Sequence, residues 1–433
     1  MNILIAVHHL PPKYNGGAEH RALRTARALG ERGHQVHLVC VEDLTHGPDG
    51  GVDWVDERLD GIPVRRLNFD LDKAGDRFEW LYDNPWIGSH LDQLITEVNP
   101  DIFHLFGGYL MSASALQAAF RAGKTTLLSL TDYWFVCPRI TMVRSDGSLS
   151  QFPPDPAACA KCLGEERRRY RWAAQLFPQA MQWYWQNQKD ASRRITRRTD
   201  FLIQTANRVD RILSPSMFLR DKMIAAGVSA DRIVYRRQGL DVHIPSGYDP
   251  KGSPPAPLRI AYMGQIASHK GVHLLVEAVR RLPAARLELT IYGDASHFPA
   301  YASQLTGMAA GDERIRFAGV YARDQVSTIF SNVDLVVVPS TWYENSPNVI
   351  LEAFAHKVPV IASNLGAFPE LVIPGVSGAL FEPNDAGHLA AVLQQFLDNL
   401  GRVTELRQSI PAVKSLSQEI DEIEDLYSEA LKR

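Results

Sequence analysis

The stretch Leu335-Val336-Val337-Val338-Pro339-Ser340-Thr341-Trp342-Tyr343-Glu344-Asn345-Ser346-Pro347-Asn348-Val349-Ile350-Leu351-Glu352 joins a strand-sized apolar run to a segment built to start a helix. Pro347 suits the first helical turn and Asn or Ser its cap, so the residues predict a helix from near Pro347 through His356. The N–H groups of Asn348 and Val349 at such a start have no partner within the helix. They sit at the positive end of its dipole, an arrangement that binds phosphate. Glu352, a turn or more into the helix, is placed to accept hydrogen bonds from sugar hydroxyls, and Glu344 lies in the entry loop. The Glu-x7-Glu spacing by itself equally describes a solvated pair at a helix start.

The same strand, loop and helix unit recurs along the chain. Apolar runs at Ile3–Val7, Val36–Val41, Ile102–Phe106, Thr125–Leu130 and Arg211–Ser214 are each followed by an amphipathic segment. A second series comprises Leu258–Met263, Leu287–Tyr292, Ile315–Phe317, Leu335–Val338, Val358–Ala362 and Gly378–Phe381. Alternation of this kind marks parallel sheets covered by helices, so two Rossmann-like α/β domains are expected. Between the series, Asp241–Pro257 is rich in Pro and Gly, which neither helix nor central strand tolerates. We therefore expect a first domain over 1–243, a linker over 244–257 and a second domain over 258–410. Residues 411–433, with the helical stretch Gln418–Leu431, should pack back on the body. Two such domains would face a central cleft lined by the carboxyl ends of their strands.

Composition limits the function classes. At 433 residues the chain exceeds one small domain, and 45% hydrophobic with 22% charged residues is a packed globular composition rather than a disordered or fibrous one. Lys and Arg number 46 against 49 Asp and Glu, a formal charge of −3 that gives no reason to expect a nucleic-acid partner. Four cysteines at this length argue against a secreted disulfide scaffold and for a reducing, cytoplasmic setting. The opening apolar run is too short for a signal h-region and reads as a strand. Elsewhere the apolar runs are strand-sized, so any membrane contact should be peripheral, at the inner face.

Two further strand-to-helix junctions carry ligand chemistry. Gly264-Gln265-Ile266-Ala267-Ser268-His269-Lys270-Gly271 combines glycines that admit a backbone to a ligand with a Lys that can neutralise a diphosphate. In the first domain, Gly16 and Gly17 in Pro11–Glu19 suit an anion, or simply a flexible turn.

With these residues in view, the chain resembles the retaining glycosyltransferases of family 4, which have the GT-B architecture of two Rossmann-like domains facing a cleft. The likeness rests on Gly16-Gly17-x-Glu19, Gly264 with Lys270-Gly271, Glu344-x7-Glu352-Ala353 and Pro359 through Gly366 to Glu370, and covers nearly the whole length. The resemblance implies a retaining hexosyltransferase that uses a nucleotide-sugar donor, with a saccharide or lipid-linked saccharide as acceptor, in surface polysaccharide or glycoconjugate synthesis. It implies no cofactor and no metal. Lys270 would hold the diphosphate and Glu352 the ribose; Glu344 and the loop Asn345-Ser346 would border the transferred sugar and its phosphate. Gly16, Gly17, Gly264, Gln265, Asn348 and Val349 complete the donor set.

The chain departs from the family pattern at two positions. Gln265 stands where many members have Arg, so diphosphate binding rests more heavily on Lys270. Thr131 stands where many carry a His at a strand end, and Thr131 or the catalytic candidate Asp132 is left to contact the sugar. His104, ending the preceding strand, reads either as a site residue or as a core histidine. Asp70 and Asp72, an acidic pair in a polar segment, receive no role.

An insertion over about 133–200 has two parts. Cys137, Cys159 and Cys162 have metal-ligand spacing, but related insertions place a further Cys where Ser150 stands, so the reading favours reduced thiols in an ordered loop. Glu165–Arg198 holds nine Lys and Arg against three Asp and Glu, interleaved with Tyr170, Trp172, Phe177, Trp183, Tyr184 and Trp185. It reads either as an anionic-membrane surface or as a solvated helical hairpin whose aromatics pack on the first domain. Two other functions share this architecture: a nucleotide-sugar epimerase, which converts donor alone, and a catalytically silent sugar-nucleotide binder. A dinucleotide oxidoreductase is disfavoured because no Gly-x-Gly-x-x-Gly follows either opening strand.

Overall fold

The computed structural model describes residues 1–241, 244 and 256–432. Nearly all of the expected linker lies outside the described residues. The chain divides into one unit of Met1–Arg237 with Leu416–Arg433, and a second of Gln238–Ser415.

The first unit contains strands β1 (Asn2–Val7), β2 (Gln35–Asp43), β3 (Asp53–Leu59), β4 (Ile62–Asn68), β5 (Ile102–Phe106), β6 (Thr125–Ser129), β7 (Arg211–Ser214) and β8 (Ile233–Tyr235). Their order in the sheet is β3-β4-β2-β1-β5-β6-β7-β8. Every described pair is parallel except β3 with β4. β1 and β5 are covered on both faces, which is why they read as unbroken apolar runs. β3, β4 and β8 are not foreshadowed by such runs. β3 is exposed along nearly its whole length and carries Asp53, Asp56, Glu57 and Arg58, so no apolar pattern announces it. Its turn does: Asp60 and Gly61 both take positive φ, 52° and 82°, as a tight two-residue hairpin requires. Across that hairpin Arg65 grips Asp56 through Nε and Nη2 at 2.7 and 2.8 Å. A charged, exposed edge of this sort discourages pairing with another chain.

Helix Leu416–Leu431 belongs to this first unit. Ile420, Ile423, Leu426, Tyr427 and Ala430 form its buried stripe, in one cluster with Ile3, Ile5 and Ile102 of the central strands. Glu419 Oε1 accepts from both Arg21 Nε and Nη2, at 3.0 and 2.9 Å, in a buried ion pair.

The second unit is a six-stranded parallel sheet: β9 (Leu258–Met263), β10 (Leu287–Tyr292), β11 (Ile315–Gly319), β12 (Leu335–Val338), β13 (Val360–Ser363) and β14 (Gly378–Phe381), in the order β11-β10-β9-β12-β13-β14. All six coincide with expected runs to within a few residues. Leu240 and Ser415, at the two ends of this unit, pair as a parallel bridge, with Leu240 N–H donating to Lys414 O at 2.9 Å.

The strand order positions the sites. In each sheet the first strand has a neighbour on either side reached by oppositely directed connections, between β1 and β5 in one unit and β9 and β12 in the other. Loops leaving the carboxyl ends of those strands diverge, and ligands of open α/β sheets bind where they do.

Candidate functional site

In the second unit the loops leaving β9 and β12 are stitched together. Gly271 has φ of +69°, and a Cβ there would sit 1.9 Å from the carbonyl oxygen of Pro339, so only glycine allows this approach. Thr341 N–H donates to His269 O at 2.8 Å. The juxtaposition brings Lys270 Nζ to 2.7 Å from Glu344 Oε1, which also accepts from Trp342 Nε1 at 2.8 Å and Ser340 Oγ at 3.0 Å. Burial alone would raise the Glu344 pKa; the charge of Lys270 and the three donors outweigh it and hold the group below the ordinary carboxylate value. Lys270 lies 5.0 Å from the centre of the Trp342 ring, and His269 packs edge-on against that ring. Burial, with Lys270 beside it, brings the His269 pKa down to about 4, so the imidazole is neutral at pH 7.

The helix beyond the loop runs Asn348–Ala355, with Pro347 in extended conformation before it and no side chain capping its first N–H groups. Ser346 O and Asn348 Oδ1 both accept from Gln238 Nε2, at 2.8 and 2.7 Å, which ties the helix entry down. The Ser346 hydroxyl is buried with no hydrogen-bond partner among the described residues. Asn345 stands beside it. Val349 packs its side chain on the core, so only its backbone belongs to the site. Gly264, with φ of +153°, ends β9, and the exposed Gln265 follows with its carbonyl accepting from Tyr262 OH at 2.7 Å. Burial, with the charge of Glu352 nearby, pushes the Tyr321 hydroxyl up to about 12.

Glu344 is buried and committed to Lys270, Trp342 and Ser340, so it positions the lysine.

The remaining expected residues belong to the first unit. Gly16 caps helix Gly17–Glu31, and a Cβ on it would sit 2.4 Å from Glu19 Oε2. The Glu19 carboxylate folds back over Gly16 and reaches His8 Nε2 at 3.2 Å. Gly17 has no heavy atom near a hypothetical Cβ, so no steric need for glycine arises there. Asp132 follows β6; its Oδ1 accepts from Trp134 N–H at 2.7 Å and its Oδ2 from Thr131 Oγ1 at 3.0 Å. Gly107 and Gly108 let the β5 exit lie on Thr131 and Trp134, where a Cβ would come within 2.5 and 2.2 Å. Tyr109, on the same exit, packs edge-on against His8.

His8, Glu19, Tyr109, Thr131 and Asp132 therefore form one polar cluster at the carboxyl ends of β1, β5 and β6. His8 and Tyr109 were not anticipated, since His8 reads as the tail of a strand. Its position directly after the first strand was the available signal. His104 is a core residue: fully buried, with Nδ1 2.7 Å from Tyr427 OH and Nε2 2.9 Å from Ser129 Oγ, its pKa drawn down to about 3 by burial. Asp70 caps a short turn through Asp72 N–H, and Asp72 pairs with Arg77.

Burial raises the Asp132 pKa above its ordinary value of 3.8, against the pull of Trp134 N–H and His8. A carboxyl held above its unfolded pKa contributes stability that is present below that value and lost as pH rises through the folded one. Asp132→Asn, which can still accept from Trp134 N–H, should raise the denaturation midpoint at pH 7. The gain should vanish below about pH 3.8. Urea titrations of both proteins across this range check it, and matching midpoints at pH 7 would contradict it.

Cys137, Cys159 and Cys162 line one small cavity with Ser150. Burial raises all three thiols, Cys159 to about 12, so they are protonated at neutral pH. Among the described residues no three His, Cys, Asp or Glu side chains are arranged to hold a metal ion. No described helix is long and apolar enough to cross a membrane.

The chain is similar to known proteins. The family model described as Glycosyltransferase Family 4 matches residues 15–244, and that described as Glycosyl transferases group 1 matches 257–399. The D-inositol 3-phosphate glycosyltransferase of Mycolicibacterium smegmatis is 29% identical over 206 residues, 45% of this chain and 47% of that protein. The amylovoran biosynthesis glycosyltransferase AmsK of Erwinia amylovora is 30% identical over 195 residues, 42% of this chain and 46% of that protein. The chain spans about half the length of the curated relatives it matches. Anabaena HepE, solved in complex with UDP, superposes with a TM-score of 0.65 at 17% identity, covering 99% of this chain and 100% of that one, a likeness of fold.

Proposed function

Because the chain belongs to Glycosyltransferase Family 4, we propose that it moves a hexose from a nucleotide-sugar donor to a saccharide or lipid-linked saccharide acceptor, with retention of configuration, in polysaccharide or glycoconjugate synthesis. The observation that carries the reading is the Lys270–Glu344 pair held at the divergence of β9 and β12, next to an uncapped helix start with a buried, unpartnered Ser346 hydroxyl. That arrangement is suited to a diphosphate.

Departure of a nucleoside diphosphate builds negative charge on the bridging phosphate oxygen. Lys270 and the N–H groups of Asn348 and Val349 stabilise that charge more as it develops, which is what lowers a barrier. Their positive field is our reason for expecting no metal or other cofactor. Glu344 keeps the lysine pointed into the site. Glu352 would bind the ribose hydroxyls, and Gln265, Gly264, Asn345 and Ser346 would line the donor.

In the first unit, Asp132, Thr131 and the His8–Glu19 pair would contact the acceptor and the sugar, beside Gly16 and Gly17. The acceptor oxygen bonds to the anomeric carbon as the bond to the phosphate oxygen breaks, and the acceptor proton passes to the departing diphosphate. Two relatives, a D-inositol 3-phosphate glycosyltransferase and an amylovoran biosynthesis glycosyltransferase, support a polyhydroxylated acceptor, the second of them a saccharide.

A screen for nucleoside-diphosphate release over UDP-, GDP- and ADP-sugars, with and without saccharide acceptors, tests this. Acceptor-dependent release is expected. Conversion of donor to an epimer without acceptor, or calorimetric binding of donor with no release across the panel, would refute it.

A further inference from the structure

The basic, aromatic stretch of the first unit folds as helices Arg168–Leu176 and Pro178–Gln186, followed by Lys189–Ala206. The positive charge is not spread evenly over them. Arg198 is buried against Trp134 O and Arg194 pairs with Asp76, so the long third helix is tied into the unit. Arg171 donates to the carbonyls of Glu165 and Glu166. Arg167, Arg168 and Arg169 are exposed, and no Asp or Glu occurs between Arg167 and Gln186.

The aromatics also divide. Trp185 is buried on Gly164, where a Cβ would come within 2.0 Å of its ring, and Tyr170 stacks on Tyr184 and meets Trp185 edge-on. These three seat the hairpin. Trp172, Leu176, Phe177 and Trp183 do the opposite, with 57, 67, 65 and 69% of their surface exposed. Trp172 and Leu176 share a helix face with Arg168, and Leu176-Phe177-Pro178 is the turn itself.

Rising about 1.5 Å per residue, the two helices set Trp172 and Trp183 roughly 7–9 Å behind the Phe177 tip and Arg168 roughly 13 Å behind it. An apolar tip, then indoles, then guanidinium groups is the order of a bilayer entered from water: acyl boundary, headgroup level, phosphate surface.

We propose that the hairpin 167–186 is a membrane-docking wedge that inserts Leu176 and Phe177 into an anionic lipid surface. Trp172 and Trp183 lie at the headgroups, and Arg167, Arg168 and Arg169 contact lipid phosphates. Charge complementarity and the depth order select a lipid surface over a protein groove. The inference is independent of donor chemistry, and its test uses none.

Co-sedimentation of the full chain with phosphatidylcholine vesicles containing a quarter phosphatidylglycerol, and with pure phosphatidylcholine vesicles, reads it directly. Wild type should bind the anionic vesicles at least tenfold more tightly, with the preference lost at high salt. Phe177→Ser with Trp183→Ser should lose at least tenfold in affinity while melting like wild type, since both side chains are exposed. Arg168→Ser with Arg169→Ser should remove the preference for anionic lipid. Equal binding by wild type and the Phe177/Trp183 variant overturns the proposal, as does wild type that pellets with neither vesicle. Self-association in sedimentation velocity, abolished by the Phe177/Trp183 variant without any vesicle binding, would also overturn it, in favour of a second copy as occupant.

Discussion

Lys270→Ala is expected to lower kcat/KM for the donor by about 10²–10³-fold, the usual cost of deleting a group that stabilises charge developing in a transition state. The structure adds a complication that shapes the experiment. Glu344 is buried, and among the described residues Lys270 is the cation paired with it. Removing one member of a buried pair strands the other, at a cost of about 3–5 kcal/mol. The single variant should therefore be less stable as well as slow. Lys270→Ala with Glu344→Gln should recover most of that stability, because a neutral amide can still accept from Trp342 Nε1 and Ser340 Oγ. Turnover should stay low. Steady-state kinetics with chemical denaturation of the four proteins of the cycle separates the two losses. If the double variant regained both stability and turnover, Lys270 would have no part in the chemistry.

The largest stability effect in the second unit should come from Asp334→Ala. Asp334 precedes β12 and is fully buried. Its carboxylate accepts from Arg259 N–H, Nε and Nη2 at 3.0, 2.8 and 2.7 Å, and from Arg407 Nη2 at 2.9 Å. One side chain thus joins the starts of β9 and β12 to the helix Gly401–Ser409, and both strands end at the Lys270–Glu344 site. Alanine removes the anion that two guanidinium groups share, so a loss of about 3–5 kcal/mol is expected. Urea denaturation measures it, and a loss under 1 kcal/mol would show that water or neighbouring groups replace the carboxylate.

How far the sequence could be read depended on burial. Strands such as β1, β9 and β12, buried along nearly their whole length, show as continuous apolar runs, whereas β10 is buried only at alternate positions and β11 is mostly exposed, so their short runs owed less to burial. β3 faces water, with charges at four of its seven positions, and went unread; the Asp60-Gly61 turn was the signal that marked it. Lys270, Glu344 and the helix start at Asn348 followed from local chemistry and family likeness. The pairing of Lys270 with Glu344 did not, because it depends on β9 and β12 lying side by side although more than 70 residues separate the two side chains. His8 and Tyr109 were missed for the same reason. Their neighbours are set by strand order, which no local pattern encodes.

The return of helix Leu416–Leu431 to the first unit has a consequence for how the chain acquires its structure. A ribosome releases Arg21 and His104 hundreds of residues before Glu419 and Tyr427, their buried partners. The first sheet must wait, with part of its apolar face uncovered, while the whole second unit is made. That unit, continuous from Gln238 to Ser415 and closed at its ends by the Leu240–Ser415 bridge, can complete itself first. The burial of the first unit can therefore be completed only after the second has been synthesised.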